Sequence, residues 1–190
     1  MPIPTKKYRP YLLLLLCSML WCSCVKDVDF SQAEDFRLEP VMEVSLVYFD
    51  LPASLIGEIP DNTTGYTVKD STKIELFSEP FFDDNLQKAT FTFEFTNTIE
   101  RSFSANIILY NEANVPIDSI PISIEASSGI PIKVTSIVTY NEADIQTIKN
   151  MESLEVVLSL DSGTPNLQPD SEGVLDLKSA GTFFMSIDDK

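Results

Sequence analysis

Thr90-Phe91-Thr92-Phe93-Glu94-Phe95-Thr96 alternates without a break: three phenylalanines at every second position, Thr or Glu between them. Successive side chains of a strand point to opposite faces, so this stretch buries one face and wets the other. The same period recurs along the chain. Met42, Val44, Leu46 and Tyr48 alternate with Glu43, Ser45 and Val47, and Ile74 and Leu76 with Lys73 and Glu75. Ile107 and Leu109 belong to another run, Ile120, Ile122 and Ile124 to the next. Residues 130–139, 154–160 and 174–187 complete the set, the last broken at Ala180-Gly181. Pro121 faces away from its isoleucine neighbours and cannot donate to a ladder, which marks an edge strand or a bulge. Turn-forming stretches separate the runs: Gly57-Glu58-Ile59-Pro60-Asp61-Asn62, Ser127-Ser128-Gly129 and Asp161-Ser162-Gly163-Thr164-Pro165.

Eight or nine short strands with one apolar face each predict an all-β body over residues 41–190. The expected form is a two-sheet antiparallel β-sandwich, immunoglobulin-like, with a closed barrel as the alternative. A membrane-spanning barrel fits poorly, because the polar faces carry Glu and Lys. One short helix is predicted near residues 142–150, with Asn141 as N-cap and Asp144 three residues on. Ile145, Ile148 and Met151 share a face of it. Tyr110-Asn111-Glu112-Ala113-Asn114-Val115 is echoed by Tyr140-Asn141-Glu142-Ala143-Asp144-Ile145, but the similarity ends there, and a structural repeat would run on. The first copy reads as a hairpin turn, the second as the opening of the helix.

The N-terminal stretch has a different grammar. Lys6, Lys7 and Arg9 precede the apolar residues 11–21, a run too short for a bilayer span of about 20 residues. Charge followed by a short apolar run is the pattern of a secretory leader. All three cysteines, Cys17, Cys22 and Cys24, crowd at its end. Ser23-Cys24, with Leu20 four positions before the cysteine, resembles the lipobox of bacterial lipoproteins; Trp21 departs from the usual aliphatic residue there. The resemblance implies cleavage before Cys24, removal of residues 1–23, and diacylglycerol on the Cys24 thiol. Cleavage would then leave neither a disulfide nor a free thiol, a coherent outcome for an oxidising compartment. Two or more acyl chains give stable attachment where one does not. Lys26, Asp27 and Asp29 resemble the surface-export tether of Bacteroidota lipoproteins, with Val28 outside that pattern. Residues 24–40 are thus expected to be a lipidated N-terminus and polar tether.

Composition narrows the chemistry. The chain has 29 acidic and 13 basic residues and no histidine, a net charge of −16. Loss of Lys6, Lys7 and Arg9 with the leader would leave 10 basic against 29 acidic residues, or −19. Nucleic acid is excluded as a partner, since phosphate binding needs clustered Lys and Arg. Without histidine, the commonest general base and metal ligand at neutral pH is missing. No G-x-S-x-G elbow, P-loop or G-x-G-x-x-G occurs. Asp83-Asp84 after Phe81-Phe82 is the most suggestive carboxylate pair for glycoside hydrolysis, yet it reads more simply as a polar turn. Asp161 to Thr164 and Asp170-Ser171-Glu172 offer oxygen ligands without EF-hand spacing. Tyr48, Phe49, Tyr66, Phe81 and Phe82 lie at or near strand ends, where aromatics can stack on sugars or peptides. No catalytic residue, metal site or cofactor is expected.

Three further stretches carry a resemblance: Val28-Asp29-Phe30-Ser31-Gln32-Ala33 after Cys24, Val44-Ser45-Leu46-Val47-Tyr48-Phe49 after Pro40, and Phe95-Thr96-Asn97-Thr98-Ile99-Glu100-Arg101-Ser102-Phe103. Together they resemble a group of flavobacterial-type outer-membrane lipoproteins. The resemblance implies a location and no mechanism. The expected protein is a lipid-anchored outer-membrane module facing the cell exterior, non-catalytic, whose partner besides the membrane is another envelope protein or a glycan. A periplasm-facing assembly lipoprotein is the alternative, and a carboxylate-dependent hydrolase is a more distant one.

Overall fold

The computed structural model describes residues 37–59, 62, 65–74 and 79–188. The leader, Cys24 and the tether residues Lys26, Asp27 and Asp29 lie outside the described residues. The strands are β1 (Arg37–Leu38), β2 (Val41–Pro52), β3 (Tyr66–Lys73), β4 (Leu86–Asn97), β5 (Phe103–Asn111), β6 (Pro116–Ile124), β7 (Ile132–Tyr140), β8 (Met151–Leu160), β9 (Val174–Met185) and β10 (Ile187–Asp188). Among the described residues three helices are each about one turn long: α1 (Ala53–Gly57), α2 (Pro80–Asn85) and α3 (Ile145–Lys149).

Phe91, Phe93 and Phe95 lie on the buried face of β4, as their spacing predicts. β4 is an inner strand of a four-stranded sheet ordered β2-β9-β4-β7, and a second sheet runs β3-β8-β5-β6. All pairings are antiparallel. Apolar side chains from both sheets, among them Phe93, Phe183, Ile107 and Leu158, form one continuous core. The two-sheet sandwich expected from the sequence is therefore present. Its connectivity, however, is not immunoglobulin-like. β2 pairs with β9, β3 with β8, β4 with β7 and β5 with β6, and even the short β1 pairs with β10. Residues 37–188 are one long hairpin folded over on itself, stitched by β4–β9 and β5–β8. Eight strands wound this way make a jelly roll, whereas the constant-type immunoglobulin fold has seven strands in another order. Strand periodicity specifies which face is buried but not which strand is the neighbour, which is why the sequence reading missed the winding.

Local corrections follow the same logic. Arg37 and Leu38, inside the stretch read as tether, are already paired as a strand. Of the alternation read at Lys73 to Leu76, Lys73 is the last residue of β3, which starts at Tyr66, and Glu75 and Leu76 lie outside the described residues. The helix near residues 142–150 is real but shorter. The backbone carbonyl of Asn141 accepts hydrogen bonds from Asp144 N–H and Ile145 N–H, so residues 141–144 form a turn. Asp144 takes the N-cap position without a side-chain cap bond. Ile145 and Ile148 are buried on one face of the helix, as expected, whereas Met151, also buried, is the first residue of β8 and not part of the helix. The similar hexapeptide at residues 110–115 forms the β5–β6 hairpin, with Asn114 at φ 56°. Pro121 sits on an edge strand, β6, opposite Asn106. The break at Ala180-Gly181 has a packing cause. A Cβ on Gly181 would lie 2.7 Å from Phe183 Cζ and 3.3 Å from Phe91 Cε1, because the rings fill that space.

The antiparallel winding sorts the loops by end. The start of β2, α2, the β5–β6 turn and α3 share one end. Ser186 N–H donates to Asn85 O there, and Lys149 Nζ donates to the carbonyl of Asp83. The other end gathers α1 and residue 62 with segments 98–102, 125–131 and 161–173. A buried polar network ties them. Arg101, only 2 % exposed, donates to the carbonyls of Asn62, Pro165 and Asp161. Asn62 Nδ2 donates to Leu167 O at 2.9 Å, and Leu167 N–H donates back to Asn62 Oδ1 at 3.0 Å. Asn97 Nδ2 donates to Arg101 O and Glu125 O, both at 2.8 Å. Gly173, at φ +106°, lets segment 161–173 pass against Thr98: a Cβ there would lie 2.8 Å from Thr98 O.

Candidate functional site

The two long seams of the sandwich differ. On one side, β6 and β7 are latched: Tyr140 hydroxyl donates to the Asp118 carboxylate across the gap. Burial and that bond raise the Tyr140 hydroxyl well above its ordinary titration range. On the other side, where β2 faces β3, the seam is open. Register with β8 puts Tyr66, Val68, Asp70 and Thr72 on the inward face of β3, opposite Leu160, Leu158, Val156 and Leu154. Inward residues of a sandwich are normally covered, yet Tyr66 is 39 % exposed and Val68 38 %. From β2, Phe49 and Leu51 turn inward, only partly buried. The result is a groove lined by Phe49, Asp50, Leu51, Val68, Asp70, Val156 and Leu158, of about 490 Å³ including its open mouth. A smaller hollow continues it along Leu51, Ile56, Tyr66 and Phe103.

The floor is apolar and the rim is acidic. Asp50 stands directly opposite Asp176 across the β2–β9 pair. The Asp176 carboxyl is raised above its usual range by desolvation, then by a hydrogen bond with Asp50 and by that neighbour's charge; Lys178 pulls the other way. Like charges directly opposite one another destabilise a sheet. Among the described residues no lysine or arginine forms an ion pair with Asp50 or Asp70. Lys69 and Lys73 pair instead with Glu155 and Glu152, on the opposite face of β3.

A raised carboxyl means that the folded state holds its proton more tightly than the unfolded chain. Stability from this group is present below the unfolded carboxylate pKa of about 3.9 and is lost as pH rises through the raised folded value. Asp176→Asn should therefore stabilise the protein at neutral pH. Partial exposure limits the gain to about 0.5 kcal/mol, or a melting temperature higher by about 1–2 °C. Melts of both proteins between acidic and neutral pH check this, and the variant should show the flatter profile.

The sequence-level candidates fall in different places. Phe49 lines the groove of the open seam and Tyr66 the smaller hollow that continues it, while Tyr48, 82 % exposed, stands on the opposite face of β2. Phe82 is core, edge-on to Phe183, and Phe81 is half-exposed beside it. Asp83 and Asp84 are both exposed on α2. Asp161 Oδ1 accepts a hydrogen bond from Ser104 Oγ at 2.8 Å, and Asp170 and Glu172 are exposed. Among the described residues no three acidic or cysteine side chains come together in a way that could hold a metal ion, and no helix is long and apolar enough to cross a membrane. Val68, Asp70, Asp50 and Asp176 were not singled out from sequence. Their signal was available: three aspartates inside strands, where aspartate is disfavoured.

No protein-family model matches the chain, and no curated protein sequence matches it. Solved structures give distant likenesses. One is a protein thought to be secreted, from Parabacteroides distasonis ATCC 8503, at 16% identity and TM-score 0.45, over 63% of this chain and 38% of that one. Another is the VP2 subviral particle of infectious bursal disease virus, at 9% identity and TM-score 0.46, over 77% of this chain and 32% of that one. The chain thus spans well under half the length of both.

Proposed function

We propose that this chain is an outer-membrane lipoprotein anchored through Cys24 and displayed on the cell exterior, and that its jelly roll is a non-catalytic binding or assembly module. The observation that carries the reading is the order of the N-terminal residues. Lys6, Lys7 and Arg9, the apolar residues 11–21, Ser23-Cys24, and Lys26 with Asp27 and Asp29 follow one another as in an exported, lipidated protein. The body suits the role: packed sheets form a rigid frame that presents loops at both ends and a seam along one side. Fully extended, residues 25–36, ahead of the first paired strand, would reach at most about 40 Å, enough to lift the sandwich clear of a headgroup layer. The second reading, an assembly lipoprotein facing the periplasm, shares the anchor and differs only in side.

Two measurements test the proposal. Mass spectrometry of the native product should find the leader gone and acyl chains on Cys24; a bare thiol or a retained leader overturns the anchor. Protease added to intact cells should digest the sandwich. Protection in intact cells with digestion after permeabilisation would place it on the periplasmic side instead.

A further inference from the structure

We propose that the open seam between β2 and β3 is a docking groove for an extended peptide segment of another chain, one that alternates apolar and cationic side chains. The inference rests on reading the sandwich as a binding module and names its site. β3 pairs only with β8 among the described residues, so its other edge offers backbone N–H and C=O groups to an added strand. Strand addition takes affinity from the backbone and specificity from pockets for alternate side chains. The pockets here are ordered. Along the inward face of β3, Val68 is apolar and Asp70, two residues on, is acidic, matching the period of a strand. Opposite, Phe49 and Leu51 supply apolar wall while Asp50 supplies charge at the rim. A docked strand would place an apolar side chain over Val156 and Leu158 and a Lys or Arg, two residues away, beside Asp70. Asp50, opposite Asp176 on the outer face of β2 and β9, adds negative charge at the mouth of the groove. Lys178, opposite Tyr48, shares that outer face with Asp176 and Asp50 and partly offsets their charge.

The other edges are less receptive. β6 is interrupted by Pro121 and carries Asp118 held by Tyr140. β7 has no carboxylate, so it could pair with a strand but would not select a cation.

The probe is a fluorescent heptapeptide of alternating Val and Lys, titrated by anisotropy into the full chain extracted in detergent, at about 150 mM salt so that long-range attraction is screened. Binding in the micromolar range is expected. A Gly-Lys heptapeptide of equal charge should bind at least about tenfold more weakly, and a Val-Glu heptapeptide should not bind. Asp50→Asn combined with Asp70→Asn should weaken Val-Lys binding about tenfold, as should Val68→Lys. All three positions are solvent-accessible, so melting temperatures near the parent are expected and confirm folding. Hydrogen exchange should show new protection in residues 66–73 and none in residues 132–140. The proposal is overturned if no probe binds, if Gly-Lys binds as well as Val-Lys, if the double variant binds like the parent, or if protection appears at another edge. Each of those outcomes leaves the lipid anchor and the protease result untouched, so failure of the groove is distinguishable from failure of the envelope assignment.

Discussion

Phe91→Ala should cost about 3–5 kcal/mol of folding stability, a large part of the roughly 5–15 kcal/mol that a domain possesses. Phe91 is fully buried on an inner strand. Its ring meets Tyr140 edge-on at 5.8 Å and Phe183 at 6.0 Å between centroids. It also helps to fill the space above Gly181, where no other side chain can stand. Truncation leaves a cavity that neither sheet can close, because a strand held by ladders on both sides cannot shift inward to fill it. The melting temperature should fall by roughly 6–20 °C. Ile137→Ala is the contrast. Ile137 pairs with Thr92, next to Phe91 on β4, but on the wet face, 64 % exposed. That change should stay within about 0.5 kcal/mol. Thermal melts of the two variants check the facing of the sheet directly: similar losses at both positions would mean that inward and outward had been exchanged.

The same contrast explains what the sequence made legible. β4 could be read because one of its faces is apolar and the other polar, and a strand so divided has one sensible orientation. β3 was placed mostly outside its true range because Tyr66-Thr67-Val68-Lys69-Asp70-Ser71-Thr72 has no fully apolar face. That deficiency is also what makes it the rim of the groove. An aspartate turned inward on an edge strand breaks the pattern that identifies a strand, and it keeps the edge from indiscriminate pairing. The carboxylate pair Asp50–Asp176 was invisible for another reason. The two residues are far apart in the chain and become neighbours only when β9 returns beside β2, and nothing local encodes that return. α1 and α2 escaped notice because a single turn shows too little periodicity to distinguish it from a loop. Asp83-Asp84 read as a polar turn, and the one-turn α2 differs little from that.

Arg101→Met should loosen one end of the jelly roll without dissolving its core. The guanidinium is buried with carbonyl partners contributed by Asn62, Asp161 and Pro165, which belong to two separate connecting segments. Burial lowers the Arg101 titration point, and the nearby Asp161 charge partly restores it. The arginine remains protonated at any ordinary pH, so its contribution does not vary there. Methionine nearly matches its volume but donates nothing, leaving three carbonyls short of a partner. Hydrogen bonds from a charged donor contribute about 1.5–3 kcal/mol each and stranded buried acceptors cost a further 1–3 kcal/mol, while water entering at this end offsets part of the loss. A net cost of about 2–4 kcal/mol follows. Because Asn62 and Leu167 hold one another beside the guanidinium, while Asn97 at the end of β4 holds the Arg101 backbone carbonyl that methionine keeps, the loss should spread along segment 161–173 and not into β4. Limited proteolysis should cut residues 161–173 well before the strands, and hydrogen exchange should rise there and at residue 62 while Phe91, Phe93 and Phe95 stay protected. Uniform loss of protection would mean that this end is part of the folding core and not a clasp on it. The β2–β3 groove gives an independent reading, since its floor of Val156 and Leu158 belongs to β8, away from the clasp. Arg101→Met should therefore bind the Val-Lys peptide within about twofold of the parent, which separates a device that shapes the loops from the seam that takes the ligand.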